Sequence, residues 1–136
     1  MTASQRWWSF AVVSLALFMA MLDNLVVTTA LPAIQRALHA SIPDLEWTVN
    51  AYTLAFTVLM LPAAALGDRF GHRRMLLTGV ALFTLGSAAA ALSASATGLI
   101  LARALQGVGG AFITPLTLTI LTRAFRDSVI DVCRTH

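Results

Sequence analysis

Residues 7–34 read WWSFAVVSLALFMAMLDNLVVTTALPAI, a run of 28 residues whose one charged side chain is Asp23. About 20 apolar residues are enough to carry an α-helix across the hydrocarbon core of a bilayer. A carboxylate near the middle of such a helix costs at least ~2.5 kcal/mol on insertion scales. Such groups are kept where they face a polar cavity or a partner and act there. The stretch therefore predicts a membrane-spanning helix with an ionisable group on a functional pathway.

The rest of the chain follows the same pattern. Of its 136 residues, 58% are hydrophobic and only 11% are charged, and the mean hydropathy is +0.80. A soluble domain is nearer a quarter charged. Uncharged stretches run from Trp47 to Leu66, Met75 to Ala102 and Ala104 to Thr122. The expectation is an all-α membrane protein with four transmembrane helices, at about 9–33, 47–66, 75–93 and 98–122. A water-soluble bundle would need charged outer faces, and the four segments have none.

All nine cationic residues are arginines, and they gather at the segment ends rather than on one face, which argues against a nucleic-acid partner. Arginine-rich short loops stay cytoplasmic. Arg6, Arg69, Arg73, Arg74, Arg123, Arg126 and Arg134 would lie on that side, with only Arg36 opposite and Arg103 within a span. Both termini are therefore expected in the cytoplasm, and an arginine-only, Ala- and Leu-rich chain suggests a GC-rich bacterial source. The localisation that follows is multi-pass in a bacterial inner membrane. Trp7 and Trp8 at one boundary and Trp47 at the other fit an aromatic belt. Ser41-Ile-Pro-Asp44 suits a helix start with a cap and an acidic first turn. A cleaved signal peptide fits the N-terminus less well, since its apolar core would be too long.

An enzyme is not expected. There is no nucleophile–base set, no phosphate-binding glycine loop and no His/Cys metal cluster, so no catalytic residue, cofactor or metal is assigned. His39, His72 and His136 are scattered, and the single cysteine, Cys133, has no partner for a disulfide. The small residues of segment three (Gly79, Gly86, Ser87 and Ala88–Ala91) suit close helix packing and carry no assigned chemistry.

Three motifs name a family. Leu22-Asp23-Asn-Leu-Val-Val-Thr-Thr-Ala30-Leu31-Pro32 resembles the first-helix motif (LDxTIVNVALP) of the fourteen-helix drug:proton antiporters of the major facilitator superfamily. Leu66-Gly67-Asp68-Arg69-Phe70-Gly71-His72-Arg73-Arg74 resembles the superfamily's loop signature between helices two and three (GxLADRxGRK). Arg103-Ala-Leu-Gln106-Gly107-Val-Gly109-Gly110-Ala111 resembles its fourth-helix motif (RxxQGxGxA). The order and placement match. The departures are Ala64 for the opening Gly of the loop signature, Gly67 and His72 for its Ala and Arg, and Leu25 and Thr28 for a Thr and an Asn in the first motif.

The resemblance implies a partial amino-terminal bundle of a major facilitator fold over residues 1–125, followed by a non-family polar tail at 126–136. It implies an amino-terminal fragment of a proton-coupled multidrug or small-solute efflux transporter, inactive alone, lacking its carboxy-terminal helices. Its partners would be the lipid bilayer and, in a full transporter, protons and a small-molecule substrate. Asp23 is implied as the protonation site and Arg103 as the group that tunes it. By depth, Asp23 lies about 15 Å and Arg103 about 8 Å below the outer face, close enough for a long side chain to bridge. A purely structural ion pair is the competing reading. Gly67, Asp68, Arg69, Gly71, Arg73 and Arg74 form the loop that the resemblance implicates in conformational switching, Gly71 permitting a tight turn with positive φ. Gln106, Gly107, Gly110 and Thr114, with Thr117, make a polar or small stripe on helix four that faces a cavity or a close neighbour. Pro115 predicts a bend. Asn50, Thr53 and Thr57 make a milder stripe on helix two, and Met19 and Phe56 are candidates for apolar contact with substrate.

Two other readings remain open: a small four-helix exporter working as a dimer, and a non-transporting membrane subunit that binds a partner transporter. The first is weakened because the loop signature at 66–74 is foreign to such exporters.

Overall fold

A computed structural model describes the backbone of residues 3–134, with side chains for residues 4, 7–123 and 126. The side chains of Arg6, Cys133, Arg134 and His136, singled out above, lie outside the described residues. The described chain forms four helices: α1 (Ala3–Leu38), α2 (Ile42–Phe70), α3 (His72–Ala91) and α4 (Ala96–Arg134). Each is long and apolar enough to cross a membrane.

The helices outrun the apolar segments. The stretch between the first two expected spans reduces to a short connection at His39–Ser41, and α4 continues as helix past residue 122 to Arg134. The reason is that hydropathy marks where a chain crosses hydrocarbon, whereas a helix ends where its backbone bonds are diverted. At 36 residues α1 is about 54 Å long, well beyond a ~30 Å core. It ends when His39 turns to φ +49 and the Ala40 N–H reaches back to the Gln35 carbonyl at 3.2 Å. That is a six-to-one closure over a left-handed residue, a common helix stop.

The α2 start is the one its residues announce. The Ser41 hydroxyl accepts from the Asp44 N–H, and the Asp44 carboxylate accepts in return from the Ser41 N–H at 3.0 Å. This reciprocal box satisfies two end donors that water or lipid headgroups would otherwise have to meet. Several hydroxyls inside the spans are satisfied locally, as when Thr28 and Thr29 donate to carbonyls three and four residues back.

Packing is centred on α4, which lies against α2 and α3 along much of its length, while α1 joins the bundle mainly through α4. The core holds Val13 and Ala16 of α1, Tyr52 of α2, Leu76 and Phe83 of α3, and Ile113 and Leu116 of α4. Lipid tails are as apolar as leucine, so close approach rather than apolar burial must hold such helices together. The small residues provide it. A Cβ built at Gly109 would lie 2.5 Å from the Phe83 nitrogen, and one at Gly79 would lie 3.0 Å from the Gly109 carbonyl. The outer surface carries Phe18, Met21, Leu54, Leu61, Leu85 and Leu101, all well exposed. So large an exposed apolar surface suits lipid or further apolar helices and not a water-soluble bundle.

Candidate functional site

The two charges placed inside apolar spans meet. Asp23 sits midway along α1 and Arg103 in the second turn of α4, and Arg103 Nη1 donates to Asp23 Oδ2 at 2.6 Å. Arg103 is only 1% exposed, whereas the Asp23 side chain keeps 18% exposure. A guanidinium cannot shed its charge in a protein, so its burial requires partners on every side.

Those partners come from three helices. Arg103 Nη1 also donates to Gln106 Oε1 at 2.9 Å, and Nη2 donates to Asn24 Oδ1 at 3.0 Å. Gln106 Nε2 in turn donates to the second Asp23 oxygen, Oδ1, at 3.0 Å. Asp23 is therefore gripped through both oxygens by two residues one turn apart on α4, a geometry that Arg–x–x–Gln spacing produces on a helix. The Tyr52 ring of α2 covers the guanidinium face, with Arg103 Cζ 4.5 Å from the ring centroid. Arg103 Nε is buried with no hydrogen-bond partner among the described residues.

The stripe on α4 divides. Gln106 belongs to the charge network itself. Gly107 and Gly110 form the seat of Tyr52: a Cβ at Gly107 would lie 2.5 Å from the Tyr52 carbonyl oxygen, and one at Gly110 would lie 3.0 Å from the Tyr52 hydroxyl. At these two positions α4 meets a close neighbour. Thr114 is partly exposed and its hydroxyl donates to the Gly110 carbonyl at 3.2 Å. Thr117 is buried, with its hydroxyl unpartnered among the described residues.

On α2, Thr53 and Thr57 are exposed and bond to their own helix, and Asn50 borders a shallow groove with Leu31 and Glu46. Met19 is exposed, and Phe56 stacks on Tyr52 with ring centroids 6.1 Å apart. Asn24 and Tyr52 are the site residues not singled out from sequence. Asn24 carried a signal in its adjacency to Asp23, and Tyr52 in being the only tyrosine of the chain.

The loop signature lies at the other end of the bundle from this network. Gly71 alone separates α2 from α3, at φ +98, a region that side chains with a Cβ avoid. Asp68 is 71% exposed and its partner is His72, whose Nε2 lies 3.1 Å from Asp68 Oδ1. Gly67 is buried against Leu116 of α4, where a Cβ would collide with the leucine side chain. Arg69, Arg73 and Arg74 are exposed, and Arg69 leans over the Phe70 ring at 5.6 Å.

Comparison with known proteins shows the family of the chain. The tetracenomycin C resistance and export protein of Streptomyces glaucescens is 44% identical over 126 residues, which cover 93% of this chain and 23% of that protein. The cephamycin export protein CmcT of Amycolatopsis lactamdurans is 45% identical over 110 residues, covering 81% of this chain and 23% of its own length. The multidrug efflux pump LfrA of Mycolicibacterium smegmatis is 39% identical over 127 residues, covering 93% and 25% respectively. The chain thus spans about a quarter of the length of these curated relatives. The sequence model of the Major Facilitator Superfamily matches residues 13–129, nearly the whole chain, and the protein belongs to that superfamily.

Proposed function

We propose that these four helices supply the proton-binding element of a proton-coupled exporter of small organic molecules in a bacterial cytoplasmic membrane, with both termini in the cytoplasm. The observation that carries this reading is the buried network itself, with Asp23 of α1 gripped by Arg103 and Gln106 of α4. The relatives support it in kind: they are named as antibiotic exporters and a multidrug efflux pump.

The geometry allows a proton to act as a switch. An ionised Asp23 accepts from both α4 residues and ties α1 to α4. A proton on Asp23 cancels the charge on which the 2.6 Å contact depends. The guanidinium still has Gln106, Asn24 and the Tyr52 face, so the tie loosens without baring a cation to lipid. A substrate that needs the ionised carboxylate would then compete with the proton for it, which couples efflux to proton entry. At the cytoplasmic edge, the exposed Asp68, Arg69, Arg73 and Arg74 around the Gly71 turn would contact the carrier's other helices and control the conformational switch, with Gly67 keeping α2 against α4.

The test is a hybrid in which residues 1–125 replace the matching segment of the Streptomyces glaucescens exporter. Asp23→Asn in that hybrid should keep membrane insertion while gradient-driven efflux falls at least about a hundredfold, the lower end for loss of a proton-transfer group. Undiminished efflux would reduce the pair to a packing device. The full chain by itself in proteoliposomes decides a separate point. Dye export by a dimer of this chain would favour the small dimeric exporter over a part of a larger carrier.

A further inference from the structure

Tyr52 is held more firmly than a lipid-facing aromatic requires. Its backbone rests in the notch at Gly107, its hydroxyl lies over Gly110, and its ring stacks on Phe56 at an interplanar angle of 13°. The ring is thereby fixed while its other contact, Arg103, is charged and buried. Of the guanidinium's contacts, the shortest depends on Asp23 being ionised. The Tyr52 face does not, because a ring quadrupole attracts the cation whatever the state of the acid. Arg103 Nε makes no hydrogen bond among the described residues, so the group has one anchor fewer to hold it when Asp23 is neutral.

We propose that Tyr52 is the positioning residue of the site: its ring keeps the Arg103 guanidinium at its station through a cycle of Asp23 protonation, so that the carboxylate finds the same partner each time it ionises. The consequence for export rests on the function proposed above, but the positioning is a property of the chain itself. The ring face is the active part. The hydroxyl lies over Gly110 and within reach of Asn24, so Tyr52→Phe separates its contribution from that of the ring.

The experiment uses the full chain in lipid nanodiscs, with infrared spectra recorded across a pH titration. The carboxyl band of Asp23 is assigned by its disappearance in Asp23→Asn. In Tyr52→Leu the midpoint of that band should move from the native value by about half a pH unit or more, a threefold change in proton affinity, as expected for loss of a desolvated cation–π contact. Tyr52→Phe should hold the native midpoint. An unmoved midpoint in Tyr52→Leu, or an equal displacement in Tyr52→Phe, overturns the proposal. A merely structural tyrosine would lower stability without moving the midpoint.

Should Tyr52→Leu fail to fold, the sole tyrosine offers a second measurement in an otherwise native chain. With a ring-fluorinated tyrosine incorporated, its fluorine resonance should shift with the same midpoint as the Asp23 band and cease to do so in Asp23→Asn. A resonance indifferent to that titration overturns the proposal. Neither readout involves a substrate, so failure of export in the hybrid would sink the transport reading and leave this one standing.

Discussion

Removing one charge from the Asp23–Arg103 pair should cost unequal amounts, depending on which charge is removed. Breaking a buried pair by deleting one partner costs about 3–5 kcal/mol because the survivor is left uncompensated. Asp23→Leu leaves a guanidinium that is 1% exposed and cannot lose its proton. Two hydrogen bonds remain to it, from Nη1 to Gln106 and from Nη2 to Asn24, as does the Tyr52 ring. Polar bonds within membrane bundles average ~0.6 kcal/mol, so they offset only part of the loss, leaving about 2–4 kcal/mol. Arg103→Met leaves a carboxyl that is 18% exposed, still bonded by Gln106, and free to take up a proton. Its cost at neutral pH should be about 1–2 kcal/mol.

The pH dependence separates the two cases. For Arg103→Met the deficit shrinks as pH falls, because protonation neutralises the orphaned acid. It grows as pH rises. For Asp23→Leu the variant's own stability is flat at this site, since the orphaned cation has no accessible neutral form, and its deficit narrows only where the native Asp23 takes up a proton and gives up the pair. The double variant Asp23→Leu/Arg103→Met should recover to within about 1 kcal/mol of the native chain, as apolar replacements of buried pairs do elsewhere. The assay is unfolding in mixed micelles, titrated with denaturing detergent and followed by helical circular dichroism at several pH values. An arginine variant as costly as the aspartate variant, or a double variant whose cost is the sum of the two, would refute the claim that these groups exist to compensate each other.

Three further outcomes follow from the packing and the turns. Gly109→Ala should destabilise by about 1–3 kcal/mol, because the added carbon would meet backbone atoms of α3 at 2.5 and 2.7 Å and the helices must separate; slower cross-linking between cysteines placed across α3 and α4 would register the separation. Gly71→Ala meets nothing within 4 Å, so its cost of about 1–3 kcal/mol comes from the φ of +98 alone. Adding a glycine beside it to relax the turn should restore unfolding stability. Ser41→Ala removes the box that opens α2 at a cost of about 1 kcal/mol, visible as faster hydrogen exchange over the first turn, residues 42–45.

What sequence alone discloses here divides along a physical line. Properties that a single segment owns were legible: four apolar spans, the capped start at Ser41, the positive φ at Gly71. Helix ends were not, because the stretches around Arg36 and beyond Thr122 leave hydrocarbon without leaving the helix. The Asp23–Arg103 contact was legible for a special reason. A charge in lipid has so few tolerable partners that depth along two spans nearly selects the pair. Gln106 and Gly107 lie on the same α4 face, yet one joins the charge network and the other seats a neighbour. Nothing in their spacing says which, since that depends on where α2 stands.

Tyr52 is the sharpest case. An aromatic in an apolar span is ordinarily lipid-facing or core, and its own helix offers no charged neighbour to mark it as anything else. Its role appears only when Gly107 and Gly110, read from α4, are seen as the shape of its seat. The missing side chains on one helix encode the position of a side chain on another. A Cβ at Gly107 would push Tyr52 away from the cation it covers, so Gly107→Ala should disturb the Asp23 titration in the same way as Tyr52→Leu, although Gly107 touches no charge. If Gly107→Ala left that titration intact while lowering stability, the glycine would be serving helix approach alone, and the link from notch to ring to guanidinium would be broken.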